Sequence, residues 1–151
     1  MFHNVGRQIY NVHSIEFQKR GLPHAHILIK FQADCTLPTE IDTVVSAEIP
    51  DDSEDAALVR QFILHHHPSP DRPASTYCQH ENADSTQSCR FHYPHPLLTI
   101  TTIDNEGHVH YQRQKQGDEW VVPYCLPLLR KFRCHLNFEV ANSPHLFQYL
   151  F

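Results

Sequence analysis

The chain has 151 residues, of which 40% are hydrophobic and 19% charged, a balance that allows a packed core and excludes disordered and collagen-like proteins. Seventeen acidic and twelve basic residues give a formal net charge of −5 at pH 7. No apolar run reaches the roughly 20 residues of a membrane-spanning helix, and residues 1–7 lack the layout of a signal peptide. Five cysteines and fourteen histidines argue against a secreted disulfide scaffold and raise the prospect of metal or phosphate chemistry.

The charges are unevenly distributed along the chain. Segment 31–59 contains acidic residues and no Lys or Arg, so the rest of the chain has more basic than acidic residues. Basic residues cluster at positions 19–20 and 130–133. A basic body can hold a phosphate backbone on one face, although ordinary solvated surface explains these clusters equally well.

The N-terminal part predicts a β-hairpin. Residues 7–17 have the composition of a strand, residues 18–23 that of a turn, and residues 24–31 alternate between two faces. Two helices are expected next, one over 39–47 with Thr39 as its N-cap, and one capped by Ser53 that runs to position 63.

The second half predicts a long loop and further strands. Residues 69–96 show neither helical nor strand periodicity and are rich in Cys and His, as in a functional or metal-bound loop. A second hairpin is expected from 97–103 and 108–113, one or two helical turns over 126–132, a strand over 133–140, and a last helix from Ser143. The expected fold is α+β, with an antiparallel sheet of about four or five strands, flanking helices and the long Cys/His-rich loop.

The sharpest chemical feature is His24-Ala25-His26 on the second strand of the first hairpin. Two histidines at positions i and i+2 project from one face and can converge on one cation. A third ligand can come from the partner strand across the turn, with Glu16 as the first choice and Gln18 as the alternative. Two imidazoles and a carboxylate with open positions suit Mg²⁺ or Mn²⁺ holding a phosphate oxygen.

The loop offers a second set of possible ligands. Cys78, His80, Cys89 and His92 supply the four sulfur and nitrogen atoms that a tetrahedral Zn²⁺ needs. Their spacing matches none of the common zinc fingers, and the three histidines at 65–67 and His95 are competing ligands. A flexible loop with free thiols is the alternative.

Residues 16–29, Glu-Phe-Gln-Lys-Arg-Gly-Leu-Pro-His-Ala-His-Ile-Leu-Ile, strongly resemble the corresponding stretch of Helitron transposon proteins, in the region called the Helitron helicase-like domain. Further stretches at 41–50, 107–113, 120–124 and 134–139 resemble later landmarks of that family in the same order. The resemblance covers nearly all of residues 1–151 and implies a fragment of this domain, truncated at both ends.

The resemblance implies a replication-initiator endonuclease, in which an antiparallel sheet with flanking helices carries a His-hydrophobic-His motif, a divalent ion and tyrosine nucleophiles. Such a domain nicks and joins single-stranded DNA. Tyr149 matches the first family tyrosine, and the second would fall at position 153, beyond the last residue. The implied metal ligands are Glu16, His24 and His26.

The resemblance also implies partners and a location. Lys19, Arg20 and Arg113 are expected phosphate contacts, and the expected partners are single-stranded DNA and the rest of a transposase and helicase polypeptide. The family context implies an intracellular, nuclear protein without a membrane anchor. No G-x-x-x-x-G-K sequence occurs, so this chain does not encode the phosphate-binding loop of an ATPase.

Two rival functions stay open. One is a catalytically dead DNA-binding remnant of a decayed transposon, which the missing second tyrosine favours. The other is a zinc-tied structural module with no nuclease history. The retained Glu16, His24 and His26 favour the nuclease over this last alternative.

Overall fold

The structure is a computed structural model that describes residues 7–17, 23–67, 78–82 and 87–141. In chain order its elements are strands β1 (Gln8–Phe17) and β2 (Pro23–Phe31), helices α1 (Pro38–Ile41) and α2 (Ser53–Phe62), strands β3 (Gln79–Glu81), β4 (Gln87–Cys89), β5 (Thr102–Ile103) and β6 (Val109–His110), a 3₁₀ turn at Asp118–Trp120, and helix α3 (Leu126–Phe132). The fold is small and α+β, which confirms the expected class.

The strands pair with their neighbours in the chain. β1–β2, β3–β4 and β5–β6 form three two-stranded antiparallel sheets, so the single larger sheet expected from the sequence is not formed within the described ranges. β3 to β6 are only two or three residues long, and isolated bridges connect distant segments instead. These bridges pair Ser46 with Tyr124, Leu64 with Val121, and Leu98 with Arg113.

The first hairpin forms as the sequence predicts. β1 and β2 pair continuously from Phe17 opposite Pro23 to Tyr10 opposite Lys30, with an irregularity near Gln8. Large apolar side chains remain exposed on both faces of this hairpin, at Ile9, Tyr10, Val12, Ile15, Phe17 and Ile27. The alternating pattern therefore indicates the strands correctly, although it does not correspond to one buried and one solvated face.

Helix α1 differs from its expected form. It is a single turn that ends at Ile41, well before position 47, and Leu37 rather than Thr39 occupies the N-cap position. The leucine side chain cannot accept a hydrogen bond. The Glu40 carboxylate instead accepts from the backbone N–H groups of Thr36 and Leu37 at 3.1 Å, which satisfies donors that a helix start leaves unpaired.

Helix α2 is capped by Asp52, one residue before the expected Ser53. The Asp52 carboxylate accepts from the N–H groups of Glu54 at 3.0 Å and Asp55 at 3.1 Å. Asp55 then receives two hydrogen bonds from the Arg130 guanidinium, at 2.8 and 2.6 Å, which tie α2 to α3. No helix in the described ranges is both long and apolar enough to span a bilayer.

Residues 133–140 do not form the expected strand. Their burial nevertheless alternates, because Leu136, Phe138 and Val140 are half-buried while Asn137 and Glu139 are exposed. The three apolar side chains pack against the core without strand pairing. The period-2 pattern therefore identifies three inward-facing side chains, whereas Cys134, which is in phase with them, is exposed and the backbone is irregular.

The core consists of two clusters. The larger contains Val59, Ile63, Val121, Val122, Tyr124 and Leu129, and the smaller contains Ile41, Val45, Ala47 and Tyr111. Ser46 and Tyr124 exchange two backbone hydrogen bonds of 2.8 Å between the clusters, and the Tyr124 hydroxyl donates to the Glu48 carbonyl at 2.9 Å. The two clusters are therefore connected by backbone pairing and by the hydrogen bond of the Tyr124 hydroxyl.

Shortening one side chain of α3 that lies inside the larger cluster tests this description of the core. Leu129 is fully buried, whereas Phe132 in the same helix is 58% exposed. We expect Leu129→Ala to lower the free energy of unfolding by about 3 kcal/mol, the typical cost of a core cavity, and Phe132→Ala to change it by less than about 0.5 kcal/mol. Urea denaturation followed by circular dichroism measures both, and equal effects would contradict the assigned core.

Candidate metal centre

Four side chains from three segments meet at one point beside the larger core cluster. They belong to His65, His67, Cys78 and Cys89, and one ligand atom from each lies within 4.8 Å of the other three. Within the described ranges, no other set of three or more His, Cys, Asp or Glu side chains meets this condition. These four residues form the Cys/His cluster.

The two histidines reach the cluster because the chain becomes extended after α2. Leu64 bridges Val121 in antiparallel fashion, and the His65 N–H donates to the Trp120 carbonyl at 2.8 Å. In extended backbone, residues two apart project to the same side. His65 and His67 therefore point together toward the cluster.

The two cysteines arrive on the β3–β4 hairpin. Cys78 directly precedes β3, and Cys89 ends β4 opposite Gln79. The Arg90 N–H donates to the Cys78 carbonyl at 2.7 Å, which continues the pairing beyond the strands. The short hairpin thus places the thiols of Cys78 and Cys89 next to each other.

One distance between ligand atoms of the Cys/His cluster already matches the spacing of ligands around a tetrahedral ion. The Nε2 atom of His65 lies 3.4 Å from the Sγ atom of Cys89. Bond lengths near 2.0–2.1 Å to nitrogen and 2.3 Å to sulfur place tetrahedral ligands about 3.3 to 3.8 Å apart. Two nitrogen and two sulfur ligands form a set compatible with Zn²⁺.

Burial favours the neutral forms of two of the four ligands, the Cys78 thiol and the His65 imidazole. Cys78 and Cys89 are only 2% and 7% exposed, and burial, followed by the neighbouring Cys89 thiol, raises the pKa of Cys78. Burial and the nearby His67 and His66 lower the pKa of His65, which favours the neutral imidazole that binds metals. A divalent ion supplies the positive charge that stabilises buried thiolates.

The side chain of His67 places one buried polar atom in the cluster. Its Nε2 atom has less than 1 Å² of exposed surface and no hydrogen-bond partner among the residues that the structure describes. Leaving a buried polar atom unsatisfied costs about 1–3 kcal/mol. Coordination of an ion removes this penalty.

Aromatic side chains surround the histidine ligands. Tyr93 stacks on His65 with ring centres 4.2 Å apart and an interplanar angle of 16°, and Trp120 meets His67 edge-on at 5.2 Å. Burial raises the pKa of Tyr93 to about 12 and lowers that of the adjacent His95 to about 4. These rings pack against the two histidines. Four protein ligands fill a tetrahedral coordination sphere, as in structural zinc sites.

The cluster agrees only in part with the ligands expected from the sequence. Cys78 and Cys89 are brought together, whereas His92 is exposed in a left-handed turn with φ of 61° and is not part of the group. The side chain of His80 lies outside the described part of the structure. His65 and His67 take the two nitrogen positions, and the signal for them was the same i, i+2 spacing that marks His24 and His26.

The first hairpin places the other expected ligands on one face. Glu16 lies directly opposite His24, and Ser14 opposite His26, while the two imidazole rings have centres 4.6 Å apart. Glu16, His24 and His26 therefore share a face, as the sequence predicts. Unlike those of the Cys/His cluster, the ligand atoms of these three described residues do not all lie within 4.8 Å of one another. Ion binding therefore requires rotation of their side chains.

Arg113 corrects one expectation about phosphate contacts. It is 4% exposed, and its guanidinium donates to the carbonyls of Tyr111 at 3.2 Å and Val121 at 3.3 Å. Burial lowers the pKa of this guanidinium. Arg113 is therefore an interior residue that supports neighbouring backbone, and its period-2 spacing from Tyr111 was the signal for an inward orientation.

The remaining expected site residues lie outside the described residues; they are Gln18, Lys19, Arg20 and Tyr149.

Comparison of the chain with protein-family models, curated proteins and solved structures finds no match. The function is therefore inferred from the chemistry of the Cys/His cluster and of the first hairpin.

We expect the purified chain to carry one tightly bound Zn²⁺ at the Cys/His cluster. At a thousandfold excess of free ion over Kd, binding stabilises the folded state by about 4 kcal/mol, so chelation should lower the melting temperature by roughly 10 °C. Cys78→Ser should abolish the zinc content, and Cys134→Ser, at an exposed position, should not. Elemental analysis and the absorption spectrum of the Co²⁺-substituted protein measure this, and retention of one zinc in Cys78→Ser would contradict the ligand set.

Proposed function

We propose that this chain is part of a Helitron-type domain that nicks and joins single-stranded DNA by metal-dependent tyrosine transesterification. One observation carries the proposal: Glu16 lies directly opposite His24 in the hairpin register, with His26 on the same face. This arrangement accords with the resemblance of residues 16–29 to the Helitron helicase-like domain. The proposed fold relationship is to replication-initiator endonucleases, with the hairpin as part of the catalytic sheet.

The donor set on the hairpin suits a hard or borderline divalent ion. A carboxylate and two imidazoles leave coordination positions open for a phosphate oxygen, in contrast to the closed Cys/His cluster. Mg²⁺ or Mn²⁺ at Glu16, His24 and His26 would withdraw charge from a scissile phosphate. Glu16 and His24 are exposed, so a nucleic acid can reach them.

The proposed nucleophile is Tyr149. Its phenol oxygen forms a bond to phosphorus while the bond from phosphorus to the 3′ oxygen breaks, and the phenol proton is lost as the 3′ oxygen gains one. The product is a phosphotyrosine link and a free 3′-hydroxyl. The energy of the phosphodiester is conserved, and the strand can later be resealed.

Single-stranded DNA is the proposed substrate and partner. Lys19 and Arg20 fall in the connection between β1 and β2, close in sequence to Glu16 and His24, and basic side chains there would hold the backbone phosphates next to the metal ligands. The proposed setting is the nucleus, within a longer transposase and helicase polypeptide.

A second candidate function is a zinc-tied structural or DNA-binding module without nuclease activity. The Cys/His cluster favours it, because a closed four-ligand set stabilises a fold and does not catalyse. The two functions can also coexist in one chain, since the cluster and the hairpin ligands use different residues. Metal binding at the hairpin separates the two candidates.

The hairpin site predicts one Mn²⁺ bound through the face that carries His24 and His26. His13 provides a matched control, because it pairs with Ile27 and therefore projects from the opposite face of the same strands. In calorimetric titration, His24→Ala/His26→Ala should abolish Mn²⁺ binding and His13→Ala should leave it unchanged. Binding that persists in the double variant would eliminate the hairpin site and favour the structural module.

The nuclease proposal predicts a covalent protein–DNA adduct that depends on Tyr149. A labelled single-stranded oligonucleotide incubated with the chain and Mn²⁺ should give a slowly migrating band on a denaturing gel. The yield should depend on the alignment of the tyrosine, because a misplacement of about 1 Å can reduce a rate on the order of 10²-fold. Tyr149→Phe and His24→Ala/His26→Ala should both remove the band, whereas an adduct that survives Tyr149→Phe would identify a different nucleophile.

A further inference from the structure

The turn between β5 and β6 gathers a carboxylate and two imidazoles outside both sites described above. The Oδ1 atom of Asp104 accepts from the backbone N–H groups of Glu106 and His108, each at 2.9 Å. Asp104 and His108 also pair through their backbone at 3.0 Å, and Gly107 takes the positive φ of 85° that closes the turn. The backbone thus fixes one oxygen of Asp104 and leaves the other available.

That second oxygen is the meeting point of two histidines. The Oδ2 atom of Asp104 lies 3.2 Å from Nδ1 of His108 and 3.3 Å from Nε2 of His110. His108 and His110 are two residues apart on an extended segment that continues into β6, so both rings project to the same side. Glu106 adds a further carboxylate oxygen 3.7 Å from Nδ1 of His108.

We propose that Asp104, His108 and His110 form a solvent-accessible site for a divalent transition-metal ion such as Ni²⁺ or Zn²⁺. Imidazole nitrogens and a carboxylate oxygen are ligands that these ions bind well. With bonds near 2.0–2.1 Å, two ligands of one ion lie about 2.9 to 3.4 Å apart. The two distances from the Asp104 oxygen to the histidine nitrogens already fall in this range. The group as a whole does not meet the 4.8 Å condition of the Cys/His cluster, so the histidine rings must rotate to bind one ion.

The charge and exposure of the group are suited to an ion. The His108 backbone N–H, more than any other contact, lowers the pKa of Asp104 to about 2, so its carboxylate is negative at neutral pH. The side chains of His108 and His110 are 47% and 52% exposed. Each ring can therefore rotate toward a shared ion, and water completes the coordination.

Ni²⁺ titration of the full chain tests the site. For this titration the chain is loaded with one equivalent of Zn²⁺, which occupies the Cys/His cluster. It also carries the substitutions His24→Ala and His26→Ala, which remove the hairpin ligands. In this background, calorimetry should show one Ni²⁺ equivalent, and His108→Gln/His110→Gln should weaken its binding by at least about tenfold. The control His13→Gln removes an exposed histidine elsewhere and should leave the affinity unchanged.

Asp104→Asn separates coordination from turn structure. Asparagine keeps an oxygen that can accept the two backbone hydrogen bonds but loses the negative charge, so Ni²⁺ binding should weaken while the melting temperature stays within a few degrees. Amide signals of residues 104–110 should respond first to Ni²⁺ in a heteronuclear NMR titration. Equal Ni²⁺ affinity in the parent and the His108→Gln/His110→Gln variant, or first responses elsewhere, would overturn the proposal.

Discussion

The extended segment 121–125, together with the Trp120 carbonyl that precedes it, is the constraint on which the rest of the described structure depends. Residues 121–125 are all buried, and the segment pairs with Ser46 on one side and with residues 63–65 on the other. The Pro123 carbonyl accepts from the Phe138 N–H at 2.9 Å, which brings the irregular 133–140 stretch against the core. Because the regular elements are short, this one apolar segment supplies much of the long-range order, including the alignment that directs His65 into the Cys/His cluster.

The sequence predicts features that depend on neighbours in the chain. The first hairpin and α2 follow from local alternation, a turn and an acidic cap, and the structure contains both close to their expected limits. A shift of the α2 cap from Ser53 to Asp52 changes little, because both side chains accept the same kind of hydrogen bond. The face shared by Glu16, His24 and His26 follows equally directly from strand periodicity and a turn of fixed length.

Contacts between distant segments were harder to predict. Nothing local to Cys78 and Cys89 distinguishes His65 and His67 from His80 and His92 as partners, because the choice depends on how residues 63–65 pair with 120–122. The orientation of Arg113 also depends on segments that are distant in sequence. A basic residue near a hairpin suggests a phosphate contact, whereas the bridge to Leu98 and the carbonyls of the interior draw its guanidinium inward.

The Cys/His cluster also has a consequence for chain length. An ion there would fasten His67 to Cys78 and Cys78 to Cys89, so the chain between successive ligands is closed at both ends. Loop-closure entropy grows only logarithmically, by about 0.6 kcal/mol for each doubling of loop length. Insertions between the ligands are therefore inexpensive once the ends are fixed, and related chains can vary there in length while keeping the same four ligands.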